Sequence, residues 1–164
     1  MDKEECSNLS ELKEKYQVFQ EKYDLPSFDE MNKLFEIEDI DSESDFLLRR
    51  IRRVVSEKIA GYLRFVEIIL NPSNAPIFFF KLVKKLDSSD SEILKEIYDV
   101  LGKFEVEVIG LDLDYNEEKE AEFINKIFKI FNEDIRIKFL AIVEKLGNGE
   151  GKKKSKESNG SYFG

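Results

Sequence analysis

Histidine and tryptophan are missing from this 164-residue sequence, and cysteine occurs once. Histidine is the usual general base near neutral pH and the commonest metal ligand. Its absence argues against most hydrolytic triads and against most zinc and non-haem iron sites. The lone Cys6 rules out an intramolecular disulfide, suits a reducing compartment, and has no histidine to activate it. Three prolines and eight glycines leave long stretches uninterrupted, which favours long helices. No apolar run reaches the roughly 20 residues that a membrane span needs. The opening Met1-Asp2-Lys3-Glu4-Glu5 does not read as a signal peptide. The expected location is therefore cytoplasmic. A Gly-x-x-x-x-Gly-Lys loop and a dinucleotide fingerprint are also lacking. No catalytic, metal-binding or cofactor-binding residue is assigned.

What is present points to a helical core. Hydrophobic residues make up 41% of the chain, with fourteen phenylalanines among them, which is enough apolar surface for a real core. Charged residues reach 37%, against an average of about 25%. The net charge of −9 opposes binding to phosphate backbones, so nucleic acid is not an expected partner.

Six helices follow from the spacing of apolar residues. The first is predicted over Asn8–Tyr23, where Leu9, Leu12, Tyr16, Phe19 and Tyr23 step by threes and fours. Pro26 stops it by pushing Leu25 away from helical angles. Ser27 and Glu30 have capping-box spacing and open a short second helix. An acidic stretch, Glu36 to Asp45, leads into a third helix ending near Leu70, with Leu48, Ile51, Val55, Ile59, Tyr62, Val66 and Ile69 facing inward. At about 28 residues it would be about 42 Å long.

The segment Asn71-Pro72-Ser73-Asn74-Ala75-Pro76 is a turn. Asn71 is expected to end one helix and Asn74 to cap the next, with Pro76 in its first turn. The fourth helix, Ile77–Leu86, is apolar over more than half its circumference and carries Lys81, Lys84 and Lys85 on the rest. Such a helix can lie on a membrane or fill a partner's groove. Packing into the core is the expectation, because the tight turn ties it to helix three.

Ser89 and Glu92 offer a capping box for the fifth helix. Ile97, Leu101, Phe104, Val108, Leu111 and Tyr115 then alternate steps of four and three. Phe104-Val106-Val108 and Leu111-Leu113-Tyr115 also alternate with polar residues, so a β-hairpin about Ile109-Gly110 is the alternative. Helix is preferred, since an isolated hairpin is marginal in water. The sixth helix, Glu117–Leu146, has the seam Ile124, Phe128, Phe131, Ile135, Phe139, Ile142 and Leu146, with Gly147 as its stop. Residues 147–164 contain no aliphatic side chain and are expected to be a disordered tail. The fold class is all-α: a bundle of long antiparallel helices, with an N-terminal helix (1–26), a bundle core (27–146) and the tail (147–164).

Three constellations are candidates for function. Glu107, Asp114, Glu118 and Glu122 would share a face if helices five and six ran on unbroken, and Glu117 and Glu120 bracket a four-residue step. A di-iron bundle needs histidines as well. An all-oxygen magnesium or manganese site would not. Acidic residues are favoured in any helical first turn, so solvated acids are the expectation. Arg49, Arg50, Arg53 and Arg64 project from the face of helix three opposite Ile51, with Glu57 and Glu67 among them; pairing with neighbouring acids is the simplest reading. In the tail, Tyr162 and Phe163 follow a spacer bearing Lys152, Lys153, Lys154 and Lys156, and could dock a partner.

The segments Asn71–Phe80, Leu111–Tyr115 and Glu120–Ile124, together with Tyr162-Phe163-Gly164, resemble a group of small uncharacterised archaeal proteins. The resemblance covers most of residues 20–146. It implies a helical cytoplasmic protein and carries no activity, cofactor or site residue. The function expected is a non-enzymatic helical module that binds an unidentified protein partner, with a docking tail; the sequence does not fix an oligomeric state. The alternatives are a carboxylate-metal hydrolase and an RNA- or ribosome-associated protein using the Arg49–Arg53 face.

Overall fold

The computed structural model describes the backbone of residues 3–147, and the side chains of 8–73 and 75–147. Within those residues the chain forms seven α-helices and no strand. They are α1 (Lys3–Tyr23), α2 (Phe28–Phe35), α3 (Leu47–Leu70), α4 (Ile77–Val83), α5 (Ser88–Leu113), α6 (Glu117–Ile130) and α7 (Arg136–Gly147). The tail beyond Gly147, with Tyr162 and Phe163, lies outside the described residues, as does the side chain of Cys6.

Three long elements make the bundle. The 24-residue α3, about 36 Å long, packs along both α5 and α6. Its N-terminal Arg52 meets Asp112 near the end of α5, so these two helices are antiparallel. Lys126 to Glu107, Lys138 to Glu96 and Lys145 to Asp90 set α6 and α7 antiparallel to α5 in turn. Tyr62 against Phe131 and Phe65 against Phe139 show that α3 runs parallel to α6 and α7. The residues expected on the inner face of α3 are buried, except Tyr62, which is half-buried.

The expected sixth helix is helical throughout but not uniform. Phe131–Ile135 forms a π turn between α6 and α7, with the Arg136 N–H bonded back five residues to the Phe131 carbonyl. Both Phe131 and Ile135 are buried. α5 is helix across Phe104–Leu113, which removes the hairpin alternative.

The ends of the helices show which local signals acted. Ser27 and Glu30 make the predicted capping box at α2. At α5 the box is Asp87–Asp90, not Ser89–Glu92. An aspartate accepts the free N–H groups as well as serine does, and it starts the helix earlier. Asn116 caps α6 by accepting the Lys119 N–H at 2.9 Å. The acidic stretch before α3 is anchored as well as solvated. Ile37 and Ile40 are buried, Asn8 of α1 bonds Ile40 and Ser42, and Lys15 bonds the Ser42 carbonyl.

The fourth helix departs from expectation. It is shorter than predicted, Pro76 rather than Asn74 occupies its cap position, and none of its residues is buried. With apolar side chains around more than half the circumference, only one side can face α3. Phe79 takes that side against Phe65, while Ile77, Phe78 and Phe80 face outward.

Candidate functional site

A charged cluster stands where α3 begins, α5 ends and α6 begins. Arg52 and Glu120 are fully buried. The Arg52 Nε donates to Glu120 Oε2 at 2.8 Å, and its Nη2 donates to Asp112 Oδ1 at 2.7 Å. Burial opposes the charged form of Arg52, but bonds to Glu120 and Asp112 outweigh it and raise its pKa. Asp112 gathers further charge. The Nη2 of Arg49 donates to its backbone carbonyl at 2.9 Å, and Arg53 Nη2 lies 3.6 Å from Oδ1. The hydrogen bond from Arg52 is the main cause that holds the Asp112 carboxyl below its ordinary range. With Glu120 sealed from solvent and Asp112 half-exposed beside the arginines of α3, the cluster is a clamp between three helices.

The structure separates the four candidate arginines. Arg49 and Arg53 share Asp112, and Arg49 also lies over the Tyr115 ring. Arg50 and Arg64 are exposed and make no ion pair among the described residues. Glu57 and Glu67 are exposed on the same face, so the cationic surface is interrupted. Arg49, Arg50 and Arg53 do line an open cleft of about 710 Å³ against the 39–45 segment, together with Asp39, Asp41, Glu43, Asp45 and Glu57. Acids outnumber arginines there, so the cleft does not favour a polyanion.

The candidate carboxylates are not brought together. α5 ends at Leu113 and α6 begins at Glu117, so the continuous face does not form. Glu107 pairs with Lys126 at 2.6 Å, and Glu117 with Lys22 at 2.8 Å and the Tyr23 hydroxyl at 2.6 Å. Asp114, Glu118 and Glu122 are exposed. Among the described residues no three acidic, cysteine or histidine side chains stand close enough to hold a metal ion.

A feature that inward periodicity hides is the outer side of α5. Its inner seam buries Leu94, Ile97, Leu101, Phe104 and Leu111. A second seam, Tyr98, Gly102, Val106, Ile109 and Leu113, steps by four, four, three and four on the solvent side. Val106, Ile109 and Leu113 are 71%, 60% and 84% exposed. Above Gly102, and above the adjacent Gly110, the space is open. One turn of helix after another therefore presents apolar or minimal side chains to water.

Compared against protein families, curated proteins and solved structures, the chain matches none of them. Its functional reading rests on these surfaces.

Sequence reasoning missed two parts of this picture. The burial of Arg52 and Glu120 went unnoticed because charge is read as surface. Yet Glu120 stands four residues before Ile124, on the inner seam of α6, and Arg52 stands four after Leu48 and three before Val55. The outer seam of α5 was legible as the 102-106-109-113 spacing, but the stronger inner seam drew the reading.

Proposed function

We propose that the protein is a non-catalytic helical module that docks a helix of another protein along the outer seam of α5. The observation that carries this reading is the row of Val106, Ile109 and Leu113, exposed at helical spacing on a 26-residue helix. Contiguous exposed apolar surface of this kind marks interaction sites, and a 4-3-4 spacing suits a helix laid alongside. Gly102 and Gly110 let a partner backbone come close.

Charge selects the occupant. Along the edges of the seam Glu92, Asp99 and Glu105 outnumber Lys95 and Lys103, while Asp112 is taken up by the arginines of α3, so a partner helix edged with lysine or arginine fits best. A second copy fits less well. Antiparallel pairing about Val106 would set Glu105 against its own counterpart, between chains that each carry −9. The cytoplasmic setting expected from the single cysteine belongs to the same reading.

A photo-crosslinker placed at Ile109 tests it in native lysate. The expected result is one discrete adduct that disappears when Val106 is changed to Asp and does not form from a crosslinker at the exposed Val18 of α1. An adduct of two copies of this chain, or equal labelling from Val18, would contradict it.

A further inference from the structure

Acidic residues are spread through this chain, 35 of them, yet none falls between Glu67 and Asp87. That interval holds the end of α3, the proline turn and α4. It is the one end of the bundle where α3 stops, α5 begins and α7 stops. On α4, Ile77 and Phe78 are 78% and 62% exposed, and Phe80 also faces solvent. Lys81, Lys84 and Lys85 are exposed around them. The helix is nevertheless fixed. Phe79 stands edge-on to Phe65 of α3, with ring centroids 6.3 Å apart, and Lys85 Nζ donates to the Leu146 carbonyl at 2.7 Å. That last bond places the end of α7 beside α4. The residues that follow α7 in sequence include Lys152, Lys153, Lys154 and Lys156.

We infer that α4 is a membrane-contact tip: Ile77, Phe78 and Phe80 enter the boundary between headgroups and acyl chains of an anionic lipid surface, and Lys81 and Lys84 pair with the headgroups. Apolar side chains rimmed by lysines are the chemistry by which short segments hold such a surface. Charge complementarity sets the orientation. Most of the chain carries an excess of acids that anionic lipid repels, and the acids nearest α4, Asp87 and Asp90, are paired with Lys145, so this end is the one turned to the lipid. Shape separates a bilayer from an acidic protein groove. A groove reads a helix through anchors at i, i+3, i+4 and i+7, and the seven residues of α4 do not reach that far. A short exposed helix with three neighbouring apolar side chains suits a plane. No described helix is long and apolar enough to cross a membrane, so the contact is peripheral. α4 would serve in this way whatever occupies the outer seam of α5.

Vesicle flotation with the full chain tests this. Phosphatidylcholine vesicles are compared with vesicles containing about 30 mol % phosphatidylserine, at low and high salt. The expected result is binding to the anionic vesicles that is at least about tenfold stronger than to neutral ones and weakens with salt. Phe78→Ser and Lys81→Glu/Lys84→Glu should each reduce it severalfold without changing the helical circular dichroism spectrum. Lys95→Glu/Lys103→Glu on α5 should not reduce it. Absence of flotation with anionic vesicles would overturn the inference. So would binding abolished by Lys152, Lys153, Lys154 and Lys156→Gln but indifferent to Phe78→Ser. Polyglutamate capture that matches the vesicles and ignores Phe78→Ser would also overturn it, assigning the tip to acidic polymers.

Discussion

Arg52 and Glu120, 68 positions apart in sequence, meet in the core with Nε 2.8 Å from Oε2. Neither is reachable by solvent, so the pair ties α3 to α6 and, through Asp112, to the end of α5. A buried pair of this kind is costly to break and cheap to replace. Arg52→Ala should cost about 3–5 kcal/mol, because the buried Glu120 would be left without its partner. The double change Arg52→Met/Glu120→Leu should fall within about 1–2 kcal/mol of the parent. Urea unfolding of the three proteins measures both. A double variant as damaged as the single would show that the pair does more than satisfy its own charges.

Asp112 makes part of this clamp sensitive to acid. Its folded pKa lies below the ordinary 3.8 because of its bond to Arg52. The stability it contributes is therefore fully present above about pH 4 and is lost as the pH falls through the depressed folded value. Thermal melts between about pH 5 and pH 2 should show the parent losing more stability than Asp112→Asn. Parallel curves for the two proteins would contradict the assignment.

The observed cap of α5 can be separated from the one its sequence suggests. Asp87→Ala should destabilise the fold by about 1 kcal/mol, since Asp87 accepts the Asp90 N–H at 3.0 Å. Ser89→Ala should stay within about 0.5 kcal/mol, because its hydroxyl donates only to the exposed Asp87 carboxylate. Reversal of that order in denaturant unfolding would restore Ser89 as the cap.

These contrasts explain how far the sequence could be read. Periodicity identified α1, α3, α5 and the α6–α7 rod, because each has an apolar seam long enough to outvote local ambiguity. The Phe104–Tyr115 stretch resolved as helix for that reason: its inner seam starts at Leu94, well before any strand could. α4 resisted the same treatment. Seven residues with apolar side chains almost all round carry no directional signal, and it is contacts across the fold, such as Phe79 against Phe65, that decide which side is covered. The pairing of Arg52 with Glu120 was invisible for a different reason. A charged residue on an inner seam is stable only with a partner, and that partner lies on another helix. The site candidates divide likewise. Arg49 and Arg53 are drawn to Asp112 by a contact across the fold, and Glu107 and Glu117 are claimed by Lys126 and Lys22.

The outer seam of α5 is the centre of the functional reading, and Ile109 lies within it. Size-exclusion analysis of the tagged full chain in native extract, beside thermal melting of the purified protein, tests both halves of the claim with the variant Ile109→Asp. The reading predicts that the parent elutes within a larger complex while Ile109→Asp elutes alone, and that the two melt within about 1–2 °C of each other, because an exposed side chain contributes little to the fold. A parent that elutes alone, or a variant whose melting temperature collapses because Ile109 belongs to the core, would contradict it.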